Sequence, residues 1–228
     1  MKKVLAALAV AALCPFTSAQ ASVISFTDSK PLTTTNWSGL LSFNKFDTNL
    51  GTLTSITFDL SGLVSGTGKA ESLDGSSSTV TLSLGSLLSL TRPDTSTLVV
   101  TNPLFSQVFN FSDFDGTIDF GGTSGGSTGS VSASGSNSFI SNLASDFALF
   151  SAAGGGTINL GLSALGNSSG TGSGNLLTQF NTAASGNALV TYTYTDIPTT
   201  VPEPASLAIL FTGLGLMGVA RRRANKKV

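Results

Sequence analysis

Apolar and polar residues alternate with a period of two over much of this chain. Residues 53–60 place Ile56, Phe58 and Leu60 on one face and Ser55, Thr57 and Asp59 on the other. Residues 79–84 set Val80, Leu82 and Leu84 against Thr81 and Ser83, and residues 157–162 repeat the pattern with Ile158, Leu160 and Leu162. Residues 188–195 alternate Val190, Tyr192 and Tyr194 with threonines. Strict alternation is the mark of a half-buried strand with one wet face. Residues 23–26, 38–43, 98–101, 107–111 and 130–133 are further strand candidates. About nine or ten short strands separated by turn residues predict an all-β domain, an antiparallel β-sandwich of jelly-roll-like type over residues 22–196.

Other periods are scarce. Residues 138–150 bring Phe139, Leu143, Phe147 and Phe150 to one side of a helix, and residues 174–184 are a second helix candidate. Residues 121–136 and 166–174 are rich in Gly and Ser and read as mobile loops, with glycine-rich edge strands as the alternative. No internal repeat is visible.

The two ends of the chain carry a different pattern. Lys2 and Lys3 precede an apolar run over residues 4–13, and Ala19-Gln20-Ala21 follows as a small-x-small site. This predicts a signal peptide over residues 1–21, delivered to the Sec translocon and cut by signal peptidase to leave Ser22 first. Cys14 is the one cysteine and lies inside that peptide, and Leu13 before it argues against lipid attachment. The exported chain then has no thiol. No disulfide can form in the oxidising compartment, and stability must come from packing or bound ions.

At the other end, Val201-Pro202-Glu203-Pro204 precedes an uncharged apolar run over residues 205–220, then Arg221, Arg222 and Arg223, with Lys226 and Lys227 beyond. As a helix the run measures roughly 24 Å at ~1.5 Å per residue, slightly short of a bilayer core of ~30 Å. Gly213, Gly215 and Gly218 suit a membrane helix, and the basic cluster would hold its end in the cytoplasm. Long basic side chains reaching back to the headgroups ease the short length. A single transmembrane helix is therefore expected, with the preceding chain on the far side of the membrane and residues 197–200 as linker. The two prolines keep the motif extended.

These three parts, in this order, resemble a PEP-CTERM sorting signal. The resemblance implies recognition by an exosortase, a polytopic transpeptidase-like membrane enzyme with a thiol nucleophile. That enzyme would cut near the Pro-Glu-Pro motif, with Glu203 as the charged recognition handle. It further implies a transient stay in the inner membrane of a Gram-negative bacterium. The destination would be the cell surface or extracellular matrix, in association with exopolysaccharide or biofilm. A second resemblance concerns the middle region. Phe43-Asn44-Lys45-Phe46-Asp47, Leu50-Gly51-Thr52-Leu53, Ile56-Thr57-Phe58 and the closing Val190-Thr191-Tyr192-Thr193-Tyr194 are similar to the choice-of-anchor E domain. That domain joins surface-anchoring signals to a β fold, and no catalytic residues come with it.

Charge narrows the function. Between residues 22 and 200, four basic residues stand against eleven acidic ones, a net charge of −7, because most of the basic residues sit in the two end segments. Such a domain is unsuited to nucleic acid and is weakly repelled by anionic headgroups. The chain has no histidine, which removes the Ser-His-Asp triad and imidazole metal ligands. Asp113-Phe114-Asp115-Gly116-Thr117 spells the nucleophile motif of haloacid-dehalogenase-like phosphatases. The chemistry fails on charge, since no Lys or Arg lies between Arg92 and Arg221, and the flanks are not βαβ. Asp113, Asp115 and Asp119 are instead candidate calcium ligands, weighed against an ordinary Asp-Gly turn. Trp37 is expected in packing rather than against a sugar. The expectation is a non-enzymatic exported protein. The alternatives are a calcium- or carbohydrate-binding adhesion module and, behind it, a carboxylate-based glycan hydrolase.

Overall fold

The computed structural model describes residues 21–172, 174–197, 212–218 and 222. Residues 21–196 form one unit, and the remaining described residues form another. The first unit is two antiparallel sheets packed face to face. The first sheet runs β1 (Ala21–Thr34), β13 (Leu176–Asp196), β4 (Gly51–Ser72), and then β9 (Val131–Ser141) and β8 (Gly125–Ser127), both on the free side of β4. The second is built on β5 (Ser78–Thr91). One side of β5 pairs with β7 (Leu104–Phe111) and then β6 (Thr97–Thr101). Its other side pairs with β12 (Ser169–Thr171) and β11 (Thr157–Gly166), and β2 (Trp37–Asn44) follows β11. A short parallel pair, β3 (Phe46–Asp47) with β10 (Ser151–Ala152), closes one end beside the single helix of this unit, α1 (Ala144–Phe150).

The all-β expectation holds, and the alternating stretches are strands with their apolar face inward. Ile56, Phe58 and Leu60, then Val80, Leu82 and Leu84, then Leu160 and Leu162, are all buried. Trp37 packs on the core and donates its indole N–H to the Ala184 carbonyl at 3.2 Å. Strand length departs from the expectation of short strands. β4 has 22 residues and β13 has 21, and they stay paired from Leu176↔Ser72 to Asp196↔Gly51. At ~3.3 Å per residue β4 is roughly 70 Å long. Such length carries two cores. The larger is built around Phe58, Leu88, Leu160, Phe150 and Tyr192, and a smaller one gathers Ala70, Val80, Leu82 and Phe111.

Several local expectations are corrected. Residues 174–184 hold no helix, because from Leu176 onward they belong to β13, where Thr182 and Ala184 face inward at period two. The helix expected over 138–150 exists only from Ala144 to Phe150. Ser138 to Ser141 finish β9, turning Phe139 inward to stack on Phe58 at 6.3 Å. The glycine-rich segments 121–136 and 166–174 are not simply loops, since they supply β8, the start of β9 and β12. There the backbone ladder, rather than side-chain burial, sets the structure.

Against the larger core a row of glycines crosses three strands in register, Gly186 with Gly62 and Gly62 with Gly135. A Cβ on Gly62 or Gly186 would sit 2.9 Å from a methyl of Leu88 in the facing sheet, and one on Gly135 would meet Thr101 and Pro103. Side chains of the facing sheet thus fill the space that a side chain on this row would need. Replacing Gly62 with valine is expected to overpack it and cost about 1–3 kcal/mol. Urea unfolding would show this as a lower midpoint at unchanged slope.

One ion pair is present among the described residues, and it fixes α1. Arg92, leaving β5, makes a two-pronged contact with Asp146 at 2.7 and 2.8 Å, and the Ser141 hydroxyl donates to the same carboxylate. The hydrogen bond from Arg92 is the main reason that Asp146 ionises below the usual carboxylate range; burial opposes the shift, and Ser141 adds to it. The same bond raises Arg92. A carboxyl depressed in the folded state stabilises above its unfolded value of ~3.9, and that stability is lost as pH falls through the folded pKa. Asp146→Asn should therefore cost about 3 kcal/mol at neutral pH. The gap from wild type should close under acid, as thermal melts between pH 7 and pH 2 would show.

Candidate functional site

Two places in the β unit gather polar side chains. The first is the segment between β7 and β8. Glu71, at the end of β4, is fully buried and accepts hydrogen bonds from the Phe120 amide at 2.6 Å and the Ser124 hydroxyl at 2.7 Å. Ser124 Oγ in turn receives the Asp115 amide at 3.3 Å. Lys69, two residues before Glu71, sets its ammonium 5.9 Å from the Phe120 ring. Glu71 is thus a pin on which the segment is folded, and Gly125 must lack a side chain because a Cβ there would collide with the Glu71 carboxylate.

The three aspartates expected as calcium ligands lie on this segment. Asp115 accepts the Thr117 amide at 3.0 Å and the Thr123 amide at 3.4 Å, while Asp119 accepts the Gly121 amide at 2.8 Å. Asp113 is exposed. Two of the three carboxylates thus serve the backbone of their own turns. Among the described residues, no group of three His, Cys, Asp or Glu side chains is placed to hold a metal ion. Glu71, which carries this segment, was not singled out from the sequence. Only its final position inside a sheet gives it that role.

The second place is the outer face of the first sheet. Two clefts, of about 480 and 240 Å³, adjoin there and share Ser61 and Asn187. A third cleft, of about 360 Å³, opens between β1 and the turn after β10, with Phe26, Phe46 and Asp47 among its walls.

The remaining expected site residues belong to the end segments. Ala21 is the exposed first residue of β1, and Ala19 lies outside the described residues. Val201, Pro202, Glu203, Pro204, Arg221 and Arg223 also lie outside them, while Arg222 is helical and exposed. Within the expected membrane span, residues 212–218 are helical, with Leu214, Leu216 and Met217 exposed. Among the described residues, no helix is long and apolar enough to cross a membrane.

Comparison with protein families decides the nature of this tail. Residues 200–224 match the PEP-CTERM protein-sorting motif. The PEP-CTERM motif marks an exported protein in transit through a membrane, sorted by an exosortase as its processing partner. The match covers the tail alone and leaves residues 21–196 unassigned. No curated protein matches the chain. Among solved structures, infectious bursal disease virus of the Gt strain is 14% identical, with 94% of this chain and 53% of that one covered at a TM-score of 0.11. The T=1 particle derived from infectious bursal virus is 13% identical, with 94% and 52% covered at 0.14. The chain spans about half the length of each, and at these TM-scores the likeness bears on neither fold nor function.

The Glu71 pin can be tested directly. Glu71→Ala leaves the Phe120 amide without its acceptor and should cost about 1–3 kcal/mol. Limited proteolysis should then cut within residues 112–124 faster than in wild type, while Asp113→Ala leaves the cutting rate unchanged.

Proposed function

We propose that this chain is a non-enzymatic surface or extracellular-matrix protein of a Gram-negative bacterium, associated with exopolysaccharide or biofilm after exosortase has processed it. The observation that carries the reading is the PEP-CTERM motif at residues 200–224. The pattern of residues 1–21 supports entry through the Sec translocon and cleavage by signal peptidase. Val201, Pro202, Glu203 and Pro204 would form the recognised peptide, and Arg221, Arg222 and Arg223 would fix topology during a transient stay in the inner membrane.

The β unit fits such a role. Its first strand starts at Ala21 and pairs with the last, Ala21 opposite Thr195, and the Ser22 hydroxyl donates to Asp196 at 2.8 Å. The released unit would therefore be one closed body bounded by both processing sites. The resemblance of residues 43–58 and 190–194 to the choice-of-anchor E domain points the same way. A chain without histidine, and without cysteine beyond residue 14, is poorly equipped for acid–base or thiol catalysis.

The intact mass of the protein recovered from its host's surface tests the reading, beside a strain lacking exosortase. The expected species starts at Ser22 and ends between Val201 and Pro204 only when the enzyme is present. A chain ending at Val228 in both strains would overturn it.

A further inference from the structure

We infer that the trough across the outer face of the first sheet is a binding site for an uncharged, hydroxyl-rich glycan chain lying across the strands. The inference rests on the surface and matrix reading above and assigns that role to particular residues.

The trough lies next to the glycine row. Gly186, Gly62 and Gly135 face the other sheet, and the outer surface carries the adjacent row of side chains. That row is Ser29 on β1, Asn187 on β13, Ser61 on β4 and Ser136 on β9, consecutive in register. All four line the two adjoining clefts. Strands lie ~4.8 Å apart, so the row offers one polar side chain about every 4.8 Å across four strands. That interval is close to the length of one sugar unit. Leu63 and Leu189 lie beside the row and supply aliphatic surface for the C–H faces of a sugar ring.

The polar groups of the trough are largely open to a ligand. Where side chains of this kind pair with one another across strands, as Ser25 with Thr191 at 3.0 Å, Thr79 with Asn110 at 3.0 Å and Ser83 with Ser106 at 3.1 Å, their hydrogen-bonding capacity is partly spent. In the trough, Ser61 reaches only the Asn187 carbonyl at 3.4 Å, and the Asn187 side-chain oxygen takes only the Thr27 hydroxyl at 3.4 Å. The half-buried Asp59 carboxylate, in the next row, has no hydrogen bond or ion pair with any described residue. An open carboxylate, an open amide and a line of hydroxyls match the alternating donors and acceptors of a neutral sugar. Charge selects the class. Asp59 and Lys30 are the charged residues of the two clefts, at opposite sides of the row. A polyanion would meet Asp59 and the acidic domain around it. With no aromatic platform, single-site affinity should be low, and many copies on one polymer would supply avidity.

Affinity electrophoresis of the surface-recovered protein tests this, in gels containing dextran, soluble β-glucan or the neutral polysaccharide fraction of the host's own matrix, with alginate as the acidic comparison. The expected result is retardation by a neutral polymer and none by alginate. Asp59→Ala and Asn187→Ala should each weaken it at least about tenfold, and Ser61→Trp, which fills the trough, should abolish it, while Ser25→Ala on the same face changes nothing. Retardation equal in all variants, retardation by alginate alone, or none by any neutral polymer would overturn the proposal. The mass of the same recovered protein reports separately on sorting. Correct processing with no glycan binding removes the trough assignment alone, whereas an uncut chain removes the reading beneath it.

Discussion

The pairing of β4 with β13 is the constraint on which everything else in the β unit depends. Their ladder joins residues more than a hundred positions apart and runs in register with a single irregularity, between Thr193 and Tyr194. A slip of one residue would turn Ile56, Phe58, Leu60, Val190 and Tyr192 outward together and bring their serine and threonine neighbours into the core. The register also aligns Gly62 with Gly186 and Ser61 with Asn187. Close sheet contact on one side and a polar trough on the other are thus two faces of one alignment.

The ends of this long sandwich are finished by specific polar contacts. At one end Arg92 reaches to Asp146 and holds α1 against the first sheet, where Phe150 meets Phe58 of β4 edge-on at 5.0 Å. Nearby, Tyr192 is buried against Phe26 and Phe46 with its hydroxyl on the Asn44 carbonyl, and burial raises its ionisation well above the ordinary phenol range. At the other end Glu71 folds the segment between β7 and β8 over the sheet. Among the described residues every buried polar side-chain atom has a partner, so little of the cost of burying these groups is left uncompensated.

What the sequence revealed depended on how local the signal was. Residues 53–60, 79–84 and 157–162 declare themselves as strands because alternate large apolar residues are buried. Residues 174–184 do not, because the inward Leu176 and Phe180 are only partly buried and share their face with Thr182 and Ala184, small groups whose burial comes from neighbouring strands. The sorting motif was legible for the same reason as the strands, being one contiguous string. The trough was not, since its residues come from four strands and acquire meaning only when glycines distant in sequence fall into line. Asp113, Asp115 and Asp119 looked like ligands by spacing, yet the backbone amides of their own turns engage Asp115 and Asp119.

The pairing of the first strand with the last sets the order of events in folding. Ser22 meets Asp196 across a separation of 174 residues, so no arrangement containing the edge strand β1 can close until the end of β13 has been delivered. Contacts so distant in sequence form slowly, because the loop-closure entropy is lost before they are made. A polypeptide that must thread a narrow channel gains from this delay, since its topology keeps it from locking into a shape too wide to pass.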